Sequence, residues 1–266
     1  LDVKDLTVVI TGGSSGIGMA ISKAFLANGA NVINWDVQES EEAHLISVAN
    51  PSQYLFCKTD ISAEDSILQA LKHIPEKVDV LVNNAGIIIK SQLKDVQLED
   101  WDRIYDINVK GTMLASKHLL PKIKRSTRGR IINLSSMTAK IGLETYSLYS
   151  STKAAVSNLT KVWALELASE GITVNALCPG WVDTPMKEGL IQTIAELHNL
   201  PAEKAEKTIL EHVPQKRFIQ PDEIAFTCLF LASTLAKGIS GQELSIDSGL
   251  TQMLKPGLHV NNREEL

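Results

Sequence analysis

Tyr149 and Lys153 stand four residues apart in a helical pattern, so both project from one helix face about one turn from each other. A phenol is a poor base at neutral pH, its ordinary pKa being about 10. A nearby ammonium favours the phenolate and brings the proton into the range of general acid–base catalysis. Ser136 ends a strand-like run thirteen residues before Tyr149, where its hydroxyl could hydrogen-bond a substrate oxygen as charge develops. A serine at a strand end also serves turns, so this position alone leaves both uses open. Asn108, in Asp106-Ile107-Asn108-Val109, is a poor helix former inside a long helical pattern. Either it caps a kink or it holds a water linked to Lys153.

A second group of residues could bind a nucleotide. Thr11-Gly12-Gly13-Ser14-Ser15-Gly16-Ile17-Gly18 follows a strand-like run and opens a helical one. Glycines let the chain turn tightly against a pyrophosphate, whose charge the N–H groups of the next helix receive. The spacing is GxxxGxG rather than the usual GxGxxG, and alone it also describes a tight turn with no ligand. Asp36 closes the second strand-like run eighteen residues after Gly18, where a carboxylate accepts the ribose 2′ and 3′ hydroxyls and repels a 2′-phosphate. This favours NAD. A preference for NADP would want Lys or Arg at Ser15 or Val37, and neither is basic.

The elements that must position these residues follow from periodicity. Strands are expected over Leu6–Thr11, Asn31–Trp35, Gln53–Lys58, Val78–Val82, Arg130–Leu134, Ile172–Leu177 and Glu243–Ile246, and helices over 17–28, 40–48, 62–73, 98–125, 147–170 and 221–233. That alternation predicts an α/β fold with a single doubly wound parallel sheet and helices on both faces. Ser62 with Asp65 resembles a capping box, and Pro221-Asp222-Glu223 suits a helix start. Residues 183–213 and the polar tail 251–266 fall outside the alternation, and the segment of interest runs on to Phe218. Met186, Leu190, Ile194 and Leu197 recur at helical spacing and Leu200-Pro201 interrupts them, which predicts a helical lid over the site.

Composition bounds the remainder. The 266 residues are 44% hydrophobic with a net charge of −5, the profile of an ordinary globular chain without the basic patch of a nucleic-acid or membrane-surface binder. Cys57, Cys178 and Cys228 show neither zinc-ligand nor CxxC spacing, and buried, reduced thiols are expected. The six histidines form no convincing ligand cluster, so no metal is expected. No stretch is long and apolar enough to span a bilayer, and no leader precedes the first strand, which reads as a cytoplasmic chain. Leu1 is not methionine, so the true N-terminus is left open.

Thr11 to Gly18, Asn83-Asn84-Ala85-Gly86, Ser136 with Tyr149-x-x-x-Lys153, and Pro179-Gly180 occur in that order. Together they resemble the classical short-chain dehydrogenase/reductase family over residues 3–250. The resemblance implies a Rossmann-like domain over 1–250 with the lid inside it, followed by a tail, 251–266. It implies Tyr149 as general acid/base, Lys153 on the nicotinamide ribose and Tyr149, Ser136 on the substrate oxygen, and Asn108 in a proton relay. For the cofactor it implies Gly12, Ser14, Ser15, Gly16, Ile17 and Gly18 at the phosphates, and Asp60 and Ile61 at the adenine. Asn83, Ala85 and Gly86 would form the supporting loop, with Pro179, Gly180, Val182 and Thr184 near the nicotinamide carboxamide. Ser248 departs from the glycine that relatives often carry after Asp247.

The expected activity is NAD-dependent hydride transfer with a secondary alcohol or ketone. Alternatives are a 3-oxoacyl thioester reductase, which typically uses NADPH, a 3-hydroxybutyrate-type dehydrogenase, and a nucleotide-sensing scaffold without turnover. The polar side chains with which the hydroxybutyrate enzymes hold a carboxylate correspond here to Ile88, Thr138 and Tyr146. An apolar wall of Ile88, Leu143, Tyr146, Trp181 and Met186 is therefore expected, with Lys90, Lys140, Glu144 or the tail as sources of one polar contact. Alicyclic or aryl-alkyl secondary alcohols should be preferred over 3-hydroxybutyrate. A homotetramer is implied by the family, with Leu114, Val156 and Trp163 as exposed apolar faces of the long helices.

Overall fold

The computed structural model describes residues 1–252, apart from the side chains of Leu197 and His198. The expected tail lies outside the described residues beyond Gln252. Seven strands form one sheet: β1 (Thr7–Thr11), β2 (Asn31–Asp36), β3 (Tyr54–Lys58), β4 (Val80–Asn83), β5 (Arg130–Leu134), β6 (Thr173–Pro179) and β7 (Glu243–Ile246). Every pairing is parallel and the order is β3-β2-β1-β4-β5-β6-β7. The order reverses between β1 and β4, so the loops leaving those two strands part and open a crevice at the C-terminal edge of the sheet.

Alternation along each strand divides the core into two layers. Val8 and Ile10 point to one face, where they meet Phe25 of α1 (Gly16–Ala27) and Ile224 and Cys228 of α9 (Pro221–Ala232). Val9 points to the other, among Ile67 of α3 (Glu64–Ala70), Leu119 and Ile123 of α5 (Thr112–Ile123), and Ala164 of α6 (Ser147–Glu166). These side chains are almost wholly buried, and each large one stabilises the fold by about 1.5–3 kcal/mol. The short α2 (Glu41–Ala49) joins β2 to β3.

Two local expectations change and a third holds. The pattern at 98–125 is not one helix: α4 (Leu98–Tyr105) passes through a π-helical turn, Asp106–Gly111, into α5. The Ser62/Asp65 capping box does not form. Asp60 instead accepts from the Ser62 N–H and hydroxyl at 2.9 and 2.7 Å, and α3 starts after Ala63 without a side-chain cap. At the other predicted start a capping box is present, formed by Gln220 and Glu223 with Pro221 in the first turn of α9.

Residues 183–218 do form two helices, α7 (Pro185–His198) and α8 (Ala202–Glu211), which share a small core of Ile191, Ala205, Ile209 and Phe218. Both ends of this excursion are pinned together, because the Ile219 N–H donates to Trp181 O and the Asp183 N–H to Ile219 O, each at 2.8 Å.

Candidate active site

A cleft of about 910 Å³ follows the C-terminal edge of the sheet and passes beneath α7. Its floor is the Gly-rich turn. Gly12 has a φ of +68°, and a Cβ there would stand 2.8 Å from Ala85 Cα, so glycine lets the loops after β1 and β4 touch. A Cβ on Gly18 would meet Gly12 O at 2.0 Å, so the start of α1 lies directly on the turn. Asn84 ties the same loops: its N–H donates to Thr11 Oγ1, and its amide nitrogen donates to Thr11 O and Gly12 O at 3.0 and 2.8 Å. The sequence reading passed over Asn84 in favour of its neighbour.

Of the residues expected to hold a cofactor, Gly12, Ser15, Gly16 and Ile17 line the cleft, as do Asp36, Asp60 and Ile61. So do Ala85, Gly86, Tyr149 and Lys153, together with Pro179, Gly180, Val182 and Thr184. Ser14, Gly18 and Asn83 stand behind the wall. Ser14 donates its N–H to Asp36 Oδ2 at 3.0 Å and accepts from Asn34 at its hydroxyl. Asn83 is buried and donates to Ser116 Oγ and Asn133 Oδ1 at 2.9 and 2.8 Å, so it braces β4 against β5 and α5. Strand alternation turns it away from the crevice that Asn84 enters.

The acid–base end is built from β5, α6 and the π turn. Lys153 Nζ donates to the last β5 carbonyl, Leu134 O, at 2.8 Å and lies 5.5 Å from the Tyr149 ring centroid. Burial pushes the Lys153 ammonium down to about 8. Burial pushes the Tyr149 phenol up to about 12, against the opposing pull of a hydrogen bond with Ser136. Ser136 Oγ accepts from both Thr138 N–H and Thr138 Oγ1 at 3.1 Å, which leaves the Ser136 proton as a donor to the cleft. Ser135 Oγ donates to Lys153 O and contacts Ser157 Oγ, both at 2.9 Å, which fixes α6 against the end of β5.

Asn108 neither caps a kink nor faces the cleft. Its Oδ1 accepts from the Ile87 N–H at 2.8 Å, and its Nδ2 donates to Ile87 O and Thr152 Oγ1 at 2.9 and 3.1 Å. Both amide donors are thereby used. The π turn carries Asn108 to Ile87 and sets the loop that holds Gly86, where a Cβ would lie 3.1 Å from Asn108 Oδ1 and 3.4 Å from Lys153 Nζ.

At the far end, Ile88, Tyr146, Trp181 and Met186 line the cleft, joined by Leu190 and Phe218, whereas Leu143 does not. Tyr146 stacks edge-on to both Tyr149 and Trp181, with centroids 6.3 and 6.5 Å apart. Two lysines also line this end. Lys187 is paired with Asp183 at 2.6 Å; Lys90 is considered below. Lys140 is committed elsewhere, to Glu243 O and Ser245 Oγ at 3.0 and 2.9 Å. Neither it nor Glu144 reaches the cleft wall.

A Gly-rich turn at the switch point of a doubly wound sheet, opening on one cleft with Ser136, Tyr149 and Lys153, defines a Rossmann-like oxidoreductase. Comparison with known proteins gives the particular family. Residues 12–251 match the family model described as Enoyl-(Acyl carrier protein) reductase. The 3-oxoacyl-[acyl-carrier-protein] reductase of Thermotoga maritima is 36% identical over 91% of this chain and 96% of its own. The D-beta-hydroxybutyrate dehydrogenase of Cupriavidus necator is 33% identical over 91% and 96%. The crystal structure of 3-ketoacyl-(acyl-carrier-protein) reductase from Brucella melitensis, complexed with NADH, superposes with a TM-score of 0.83 at 30% identity, over 94% of this chain and 100% of the other. The chain belongs to the short-chain dehydrogenase/reductase family.

Proposed function

We propose that the protein is an NAD-dependent dehydrogenase acting on a secondary alcohol or its ketone, with residues 1–250 as one catalytic domain. The observation that carries this reading is that one cleft is lined by Asp36 at the end of β2, the glycine turn after β1, and Tyr149 with Lys153 beside the end of β5, in the order those strands take across the sheet. That order matches the ribose, pyrophosphate and nicotinamide of a dinucleotide. The fit extends to charge, since the acidic lining residues, Asp36 and Asp60, flank the adenosine end and no lysine or arginine lines it. A 2′-phosphate there would meet repulsion without compensation.

Bound NAD supplies an electrophilic nicotinamide C4 that accepts the hydride. In alcohol oxidation Tyr149 takes the hydroxyl proton while the Ser136 hydroxyl, which donates to Tyr149 before substrate arrives, steadies the developing alkoxide. Lys153 stabilises the phenolate and would hold the nicotinamide ribose. Asn108, bonded to the Ile87 backbone, is a positioning residue, and α7 with α8 covers the substrate. The free, buried Cys57, Cys178 and Cys228 support a reducing, cytoplasmic setting. Assembly as a homotetramer is supported by exposed apolar side chains on α4, α5 and α6.

A 3-oxoacyl thioester reductase is the second reading, favoured by the Thermotoga relative and disfavoured by Asp36. The test is NADH formation from a panel of secondary alcohols, repeated with NADP and with Asp36→Ala. NAD should be preferred, and the substitution should narrow the gap. Equal kcat/KM for NAD and NADP in the unmodified enzyme would overturn the cofactor assignment, and absence of turnover throughout would favour a scaffold.

A further inference from the structure

Lys90, which follows the Asn83-Asn84-Ala85-Gly86 turn by four residues, lines the substrate end of the cleft. It is only partly exposed, and burial pushes its ammonium below the ordinary lysine value. Its Nζ lies 5.2 Å from the Tyr146 ring centroid and donates to Thr193 Oγ1 of α7 at 3.2 Å. An ammonium has three N–H donors, and the hydrogen bond to Thr193 uses one of them.

The charges around it are unbalanced. Among the described residues no carboxylate forms an ion pair with Lys90, whereas Lys187 on the same wall is neutralised by Asp183. The acidic residues lining the cleft, Asp36 and Asp60, lie at its opposite end. Tyr146 stands between Lys90 and Tyr149, 5.2 Å from the ammonium and 6.3 Å from the second ring, and the apolar groups Ile88, Trp181, Met186 and Phe218 line the same cleft. A partly desolvated cation beside such a wall is stabilised by an anion brought in by the ligand.

We propose that Lys90 anchors a carboxylate on the substrate, so that the enzyme acts on hydroxy acids or oxo acids whose acidic group is separated from the carbinol by an apolar body. This rests on the dehydrogenase reading above and deepens it. The apolar wall receives the body, Tyr149 faces the carbinol, and Lys90 meets the carboxylate beyond Tyr146. The competing role for Lys90 is a latch that holds α7 through Thr193 without touching substrate.

The experiment compares cyclohexanol with 4-hydroxycyclohexanecarboxylate, a pair that differs by the carboxylate, in the full-length enzyme and in Lys90→Met and Lys90→Arg. The unmodified enzyme should favour the acid in kcat/KM by about tenfold or more, equivalent to about 1.4 kcal/mol. Lys90→Met should abolish that preference while changing cyclohexanol turnover by less than about threefold, and Lys90→Arg should restore part of it. Equal losses on both substrates would establish the latch and overturn the anchor. Turnover of both substrates without preference in the unmodified enzyme would overturn the anchor and leave the dehydrogenase reading standing. If neither is oxidised, calorimetric titration of the NADH-loaded enzyme with cyclohexanecarboxylate still decides: binding that Lys90→Met weakens tenfold or more supports the anchor, and binding that is absent or unaffected overturns it.

Discussion

In the proposed reaction the Tyr149 hydroxyl is the group that exchanges the proton, and its environment gives a signed pH dependence. Burial holds the phenol at about 12 in the ligand-free cleft, so at neutral pH it carries its proton, the form needed for ketone reduction. Oxidation needs the phenolate, and alcohol kcat/KM should therefore climb from about pH 7 to 10 while reduction does not. Tyr149→Phe should lose about 10² to 10⁴ in rate with NADH binding nearly intact, and Tyr146→Phe should not. A flat oxidation profile, or equal losses in the two variants, would show that the base is misassigned. Ser248 offers a separate test on stability. It holds a φ of +56°, a conformation in which a glycine carries no Cβ penalty, and its buried hydroxyl has no partner among the described residues. Ser248→Gly should stabilise the fold by about 1 kcal/mol in denaturant unfolding; an unchanged or lowered midpoint would contradict this.

At the scale of elements, what matters is how far each segment is tied to the sheet. α7 and α8 pack on their own four-residue buried core rather than on either sheet layer, and the excursion enters and leaves through the single bridge between Val182 and Ile219. Such a unit can move with little cost to the main core. Amide exchange across 185–211 should slow when NADH and a substrate analogue bind; identical exchange with and without them would mean a pair fixed in place. The lid pattern was legible because Met186, Leu190 and Ile194 recur at helical spacing, while the Leu197 side chain lies outside the described residues. The π turn at Asp106–Gly111 was not legible, since the partners that Asn108 meets there, Ile87 and Thr152, are distant in sequence.

For the whole molecule, the apolar residues expected to mediate assembly have mostly turned inward. Leu114 and Val156 are 6% and 2% exposed, and Trp163 packs against the core formed by α5 and α6. The faces left open carry Trp101 at 41% and Leu165 at 81% exposure, with Met113 and Val162 on the same run of helices. A homotetramer should form through these, and light scattering at micromolar concentration should give a tetrameric mass that Leu165→Glu lowers. A monomeric mass for the unmodified protein would contradict it. The wrong side of each helix was chosen because a sequence shows which residues share a face but not which face meets the sheet.

The sequence by itself determined the parallel α/β architecture and the residues that meet around the cofactor cleft. Those depend on local periodicity and on motifs whose spacing is read within one turn or one loop, as with Tyr149 and Lys153 on α6 or Gly12 to Gly18 after β1. Only the tertiary structure decided between Asn83 and Asn84, moved Asn108 from the cleft to the Ile87 backbone, and removed Leu143 from the substrate wall. It also brought Lys90 to the cleft wall and kept Lys140 and Glu144 away from it. Each of these depends on where a side chain points after segments distant in sequence have packed. A change of one residue in strand or loop register reverses that direction, and the one-dimensional pattern does not record it.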